Sequence, residues 1–202
     1  LALIENNRAV KTERGELNLL LARAHIKAHR VDKALMILAR LQANYQKYYS
    51  ELMSCYDEII SIEPENSRPY IERAILKRVG GHLDEAIEDL ERARLLVPDN
   101  LNVLAEYADL LQQKIQSSGI APEELVLRCG KILRQLGDDH AAYEMAESVL
   151  EKEPENQAAL RLIAELQLGA AALQSCWRTL NKLKDRKSAL DLLQALARAF
   201  AD

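Results

Sequence analysis

Between Ser67 and Asn100 the chain reads SRPYIERAILKRVGGHLDEAIEDLERARLLVPDN, and this stretch constrains the fold more than any other. Tyr70, Ile71, Ala74, Ile75 and Val79 recur at helical spacing and make one apolar face. Ser67 can cap that helix, and Pro69 is tolerated in its first turn, where no intrahelical donor is lost. Gly80-Gly81 ends it, because glycine enters the left-handed conformation without steric cost. Leu83, Ala86, Ile87, Leu90, Ala93 and Val97 form a second stripe, which Pro98-Asp99-Asn100 stops. One helix pair cannot bury both stripes, so the pair needs neighbours.

The same punctuation recurs. Pro64-Glu65-Asn66, Pro98-Asp99-Asn100 and Pro154-Glu155-Asn156 each stop a helix and supply the next turn and cap. From 67 to 100 inclusive is 34 residues, the period of a tetratricopeptide repeat. The residues resemble that family: Tyr70 in the aromatic slot, Ala74 in the small slot, Gly81 at the turn, Ala86 in the second small slot, then Leu90 and Pro98. Arg73 and Lys77 depart from it, standing where the family prefers leucine and tyrosine. The resemblance extends to a repeat over 16–43, with Leu21-Ala22 in the leucine and small slots and His25 in the aromatic slot. There His29 replaces the turn glycine, and D32-K33-A34-L35 opens a second helix that Leu38 and Leu41 continue. It also covers 123–156, with Cys129-Gly130 in the leucine-glycine slots, Gly137 at the turn and Ala142, Ala146 and Val149 behind it.

The remaining segments follow less regularly. Leu3, Ile4 and Val10 suggest a short N-terminal helix that Gly15 ends. Over 45–66, Leu52, Tyr56 and Ile59 look like a second helix without its first. Three readings stand: one long helix from Ala34 to Ile62, a bend near Asn44, or residues missing around 43–48. Leu101 to Gln116 reads as a first helix, with Leu104, Tyr107, Ala108 and Leu111 in register, followed by a loop to Pro122. Gln157 to Ala172 and Leu173 to Leu183 form a further pair. Over 187–202, Ser188 caps a closing helix whose Leu190, Leu193, Ala197 and Phe200 should pack on the preceding one. The expected fold is thus all-α, a right-handed solenoid of antiparallel helix pairs over 1–202 as one domain.

Composition narrows the function. Net charge is −4 with pI about 5.7, against the basic field that a nucleic-acid groove needs. No apolar run reaches the length of a membrane span. Three cysteines, Cys55, Cys129 and Cys176, are far apart within helical patterns, so neither a disulfide framework nor a CxxC-type metal site is expected. They favour a reducing, cytoplasmic setting, with the bacterial periplasm as the alternative if a targeting segment was removed. The chain begins at Leu1 and stops inside an apolar helix, and reads as a piece of a longer protein. His25 and His29 stand four apart, yet no third ligand follows, so no metal or cofactor is expected. No nucleophile-base pattern, phosphate loop or carboxylate pair rises above solvated helix faces, and Glu58, Glu63, Glu65, Asp84, Glu85 and Glu88 read as surface charge.

The resemblance implies a non-enzymatic scaffold or adaptor that assists complex assembly, holding a partner's peptide or helix in a concave groove lined by the first helices. Carried over helix by helix, the groove residues are Arg23, Lys27, Arg68, Glu72, Arg78, Arg128, Lys131, Arg134 and Arg161. The Lys/Asn set with which some members clamp chaperone tails is absent. Arg128, Lys131 and Arg134, three apart on one helix, suit an acidic peptide, since guanidinium groups bind carboxylates bidentately; a solvated face is the competing reading. The alternative function is a regulatory or substrate-recruiting module of a larger enzyme.

Overall fold

The computed structural model describes residues 2–119, 121–184 and 189–200, with side chains omitted at 2–13 and 44. Among them it contains helices and no strand. The chain divides into two compact units, residues 1–103 and 104–202.

The first unit holds α1 (Ala2–Lys27), α2 (Val31–Leu41), α3 (Tyr45–Ile62), α4 (Ser67–Val79) and α5 (Leu83–Leu96). α1 pairs with α2 and α4 with α5, while α3 packs on α1, α2 and α4. Ala22, Ile26, Leu35, Leu38, Leu52, Tyr56 and Ile59 form its core. Of the three readings for the 43–48 region, the bend holds: a 3-10 turn at Gln42–Asn44 separates α2 from α3. Gln42 fixes this corner by donating from Nε2 to Tyr56 Oη (2.8 Å) and to Glu72 Oε2 (3.1 Å).

Gly15 does not end a helix. It lies buried within α1, and a Cβ there would stand 2.3 Å from Tyr48 Oη. Tyr48 occupies a kink in α3 (φ −118°, ψ 20°), and its buried ring fills the space that glycine leaves. The residue is therefore selected by close approach rather than by helix termination. Leu21, placed in the leucine slot, is instead exposed, and Ala22 beside it is buried.

The second unit holds most of α6 (Leu101–Ser117), then α7 (Glu123–Gln135), α8 (Asp139–Lys152), α9 (Gln157–Gly169), α10 (Leu173–Leu180) and α11 (Leu190–Ala199). α7 pairs with α8 and α9 with α10; α9 also packs on α7, α8 and α11. Leu160, Ala164, Cys176, Leu180, Leu192 and Leu196 form one core cluster. The closing helix turns a different stripe inward than the sequence suggested. Leu192 and Leu196 are buried and Leu193 partly so, whereas Leu190 and Phe200 are 54% and 57% exposed and Ala197 is exposed too. Ser188, the expected cap, lies outside the described residues.

The four pairs share one turn. His29, Gly81, Gly137 and Ala171 all take positive φ (53°, 83°, 83° and 55°). In each turn the next N–H donates to a carbonyl five residues back: Arg30 to His25, His82 to Lys77, Asp138 to Leu133 and Ala172 to Gln167, at 2.8–2.9 Å or 3.0 Å. This is the Schellman closure that a left-handed residue allows. Helix starts are equally alike. Asn66, Asn100 and Asn156 cap α4, α6 and α9 by accepting backbone N–H bonds, so the α4 cap is Asn66, one residue before Ser67. Asn66 and Asn156 in turn donate to Glu63 and Glu153.

The turn geometry makes a direct prediction. A side chain at Gly81 or Gly137 meets no atom within 4 Å, so only backbone strain opposes it. Gly81→Ala and Gly137→Ala should each cost about 1 kcal/mol, and Ala171→Gly should gain about the same, since left-handed backbone disfavours a Cβ by that order. Urea midpoints of the three variants check the opposite signs.

Candidate partner-binding face

α7 buries Val126, Leu127, Cys129, Gly130, Ile132 and Leu133, which leaves Arg128, Lys131 and Arg134 on its outer side. Glu123 and Glu124 sit in its first turn, where the helix dipole favours acids. Arg128 Nη2 pairs with Glu124 Oε1 (3.2 Å), and its Nη1 reaches Tyr107 Oη (3.5 Å) on α6. Arg134 pairs with Glu165 on α9. Glu165 also accepts from Arg161 Nε (3.1 Å), and Arg161 Nη2 reaches Asp191 on α11 (2.8 Å). The outer sides of α7, α9 and α11 thus carry a ladder of alternating sign, Arg134–Glu165–Arg161–Asp191. Lys131 stands exposed in the row with no ion pair among the described residues.

The remaining groove positions belong to the first unit. Arg23 and Lys27 are exposed on α1, and Arg68 is exposed on α4. Glu72 is half-buried, its carboxylate and backbone carbonyl both taken by Gln42, and Arg78 is half-buried near the end of α4. α3 packs on both α1 and α4, so the α1 cations and the α4 set flank a third helix.

The two departures from the repeat pattern explain each other. Asp89 on α5 is 4% exposed, and its two oxygens receive Arg73 Nε (2.8 Å), Arg73 Nη2 (2.5 Å) and Lys77 Nζ (2.9 Å). Lys77 is itself 7% exposed. Arg73 also meets Asp57 on α3, and Lys77 reaches the backbone carbonyl of Glu85 (3.4 Å). Burial opposes the charge on Arg73, but the facing carboxylates of Asp89 and Asp57 more than offset it and hold the guanidinium protonated. Three charged residues therefore fill the space in which the repeat pattern places leucine and tyrosine. The signal in the sequence was the pair of cations in apolar slots; nothing there singled out Asp89.

The nucleophile candidates are sequestered. Cys55, Cys129 and Cys176 are free and buried, and burial pushes the Cys129 thiol up to about 11. Cys176 Sγ donates to the Ala164 carbonyl (3.3 Å) at the crossing of α9 and α10. His29 takes the left-handed turn position rather than a ligand position. Among the described residues, no group of three or more His, Cys, Asp or Glu could hold a metal ion.

No protein-family model and no curated protein matches the chain. Similar solved structures include PilW, described as a widely conserved type IV pilus biogenesis factor, at 18% identity and TM-score 0.43, covering 83% of this chain and 86% of that one. MamA is similar at 15% identity and TM-score 0.38, over 81% of this chain and 94% of that one. A structure of Naa15/Naa10 bound to HypK-THB matches at 15% identity and TM-score 0.38, over 93% of this chain and 39% of that one.

Proposed function

We propose that the chain is a non-enzymatic protein-interaction scaffold whose first-helix face on α7, α9 and α11 holds an acidic or amphipathic segment of a partner. The observation that carries this reading is the ladder itself. Glu165 holds Arg134 and Arg161 in fixed places on either side, and Lys131 stands exposed beside them. A carboxylate arriving from a partner finds guanidinium groups already oriented, so little side-chain freedom is lost on binding. No helix among the described residues is long and apolar enough to cross a membrane.

The test is Arg128→Glu with Lys131→Glu. Partners captured from lysate by the parent protein and identified by mass spectrometry should be lost by about tenfold or more in the variant, while thermal melting stays unchanged. The difference should shrink as salt rises above about 0.15 M, where screening acts beyond roughly 8 Å. A variant that folds and captures the same set at every salt concentration removes this face from the reading.

A further inference from the structure

The shared turn identifies equivalent positions in the four helix pairs. The carbonyls that close it belong to His25, Lys77, Leu133 and Gln167. Four residues before these stand Leu21, Arg73, Cys129 and Ile163, and eight residues past each left-handed residue stand Ile37, Asp89, Met145 and Thr179. At these three places the pairs differ in chemistry. In α4–α5 it is ionic, with Arg73 and Lys77 closing on the buried Asp89. In α9–α10 it is a neutral hydrogen bond, the Thr179 hydroxyl donating to Gln167 Oε1 (2.8 Å) beside the buried Ile163. In α7–α8 it is apolar, with Cys129 and Leu133 buried and Met145 half-buried. In α1–α2 Leu21 is exposed, and His25 and Ile37 are half-buried. The small residues at the crossings, by contrast, repeat. Ala22, Ala74, Gly130 and Ala164 on the first helices and Ala34, Ala86, Ala142 and Cys176 on the second are all buried.

Crossings this alike do not tell one second helix from another, so the choice falls to the three positions that differ. We propose that Arg73, Lys77 and Asp89 form a pairing key, which admits α5 to α4 and rejects the second helices of the other pairs. With α8 on α4, Met145 would face two sheltered cations. Asp57 on α3 would still meet Arg73, but Asp89 and Glu85, which reach Lys77, both belong to α5. With α5 on α7, Asp89 would be buried against Leu133 and Cys129. A buried charge without its partner is strongly unfavourable, whereas a complete buried ionic set adds little over an apolar one. What the charges contribute is therefore discrimination, through the penalty they place on wrong pairs. The short turns bring each native pair together within one chain. They do not act between chains, where exchange of elements is a characteristic failure of repeat proteins. The key is separate from the charged strip on α7 and does not depend on it.

The test duplicates a key. Arg73→Leu with Lys77→Leu and Asp89→Met gives α4–α5 the apolar chemistry of α7–α8. Arg73→Ile with Lys77→Gln and Asp89→Thr gives it that of α9–α10. Equal amounts of unlabelled and isotope-labelled full chain are unfolded together in urea, refolded by dilution and treated with a bis-diazirine cross-linker, which inserts into side chains of most kinds. Mass spectrometry of mixed-isotope links then separates two events: α4 joined to α5 of the other chain, and α4 joined to α8 or α10 of the other chain. The ratio of wrong to native links should rise about tenfold or more over the parent, through α8 in the first variant and α10 in the second. Ala86→Leu, which crowds the same pair but leaves the key intact, should keep the parent's ratio. A parent-like ratio in either variant that folds overturns the proposal. So does an equal rise with Ala86→Leu, since lost stability rather than matching would then decide the pairing. Loss of folding in both variants overturns it as well, because the ions would then hold the pair together rather than select its members.

Discussion

Asp89→Ala should lower the stability of the chain by about 3–5 kcal/mol. The carboxylate is almost fully buried and serves two cations at once, one of them equally buried. Its removal leaves Lys77 and Arg73 in a sheltered site with no full counter-charge. Asp57 and Glu85 cannot substitute, since both are more than half exposed and interact through solvent. The loss belongs to the stranded charges rather than to the pairing. Replacing the set together, as Arg73→Leu, Lys77→Tyr and Asp89→Ala, should recover most of the stability, because apolar residues that fill a buried ionic site are often neutral or better. Urea unfolding checks both: the single variant should show a much lower midpoint, the triple variant a midpoint near the parent, with similar slopes. A stable Asp89→Ala protein would mean that water reaches Lys77.

The same network marks where reading the sequence stops. Arg73 and Lys77 stood out because the repeat resemblance places apolar residues there. Asp89 did not, because it lies in an acidic helix beside Asp84, Glu85, Glu88 and Glu91, and helical spacing alone does not say which acid faces inward. The turns at Gly81 and Gly137 were legible, since glycine at the end of an apolar stripe has a local cause. Ala171 was not, because an alanine in left-handed backbone carries no local signal and is held there by the pairing of α9 with α10. Gly15 misled for the converse reason: its cause is Tyr48, distant in sequence, and a helix runs through it. The charged strip divides similarly. The three-residue spacing of Arg128, Lys131 and Arg134 placed them on one outer side, but Glu165 and Asp191 come from later helices, and only their packing brings them into line with Arg134 and Arg161. On α11, Leu190 and Leu192 are equally apolar, and contact with α9 and α10 decides which is buried.

The second large effect is expected at Gly130→Leu, where α7 crosses α8 and meets α9. A Cβ at this position would lie 3.0 Å from Leu162 Cδ2, 3.3 Å from the Ala142 carbonyl oxygen and 3.3 Å from Met145 Cβ. The first neighbour is the end of a side chain and can turn away; the second is backbone and moves only if α8 moves. Leucine adds three more carbons beyond that Cβ, so α7 must separate from its partner. Overpacking of this kind typically costs 1–3 kcal/mol, and the backbone contact puts this site at about 3 kcal/mol or above. Ala86→Leu, which enlarges a fully buried small residue on α5, should cost roughly 1–3 kcal/mol on the same ground. Gly130→Ala is the informative control. It gains up to about 1 kcal/mol of helix propensity and loses a similar amount to crowding, so it should fall within about 1 kcal/mol of the parent. Because the contact with Leu162 is the tightest, Leu162→Ala combined with Gly130→Leu should be less damaging than the two losses added, with a coupling of about 1 kcal/mol or more. Strict additivity in urea unfolding would show that Gly130 is crowded by α8 alone, and that the approach of α9 to α7 leaves room at this crossing.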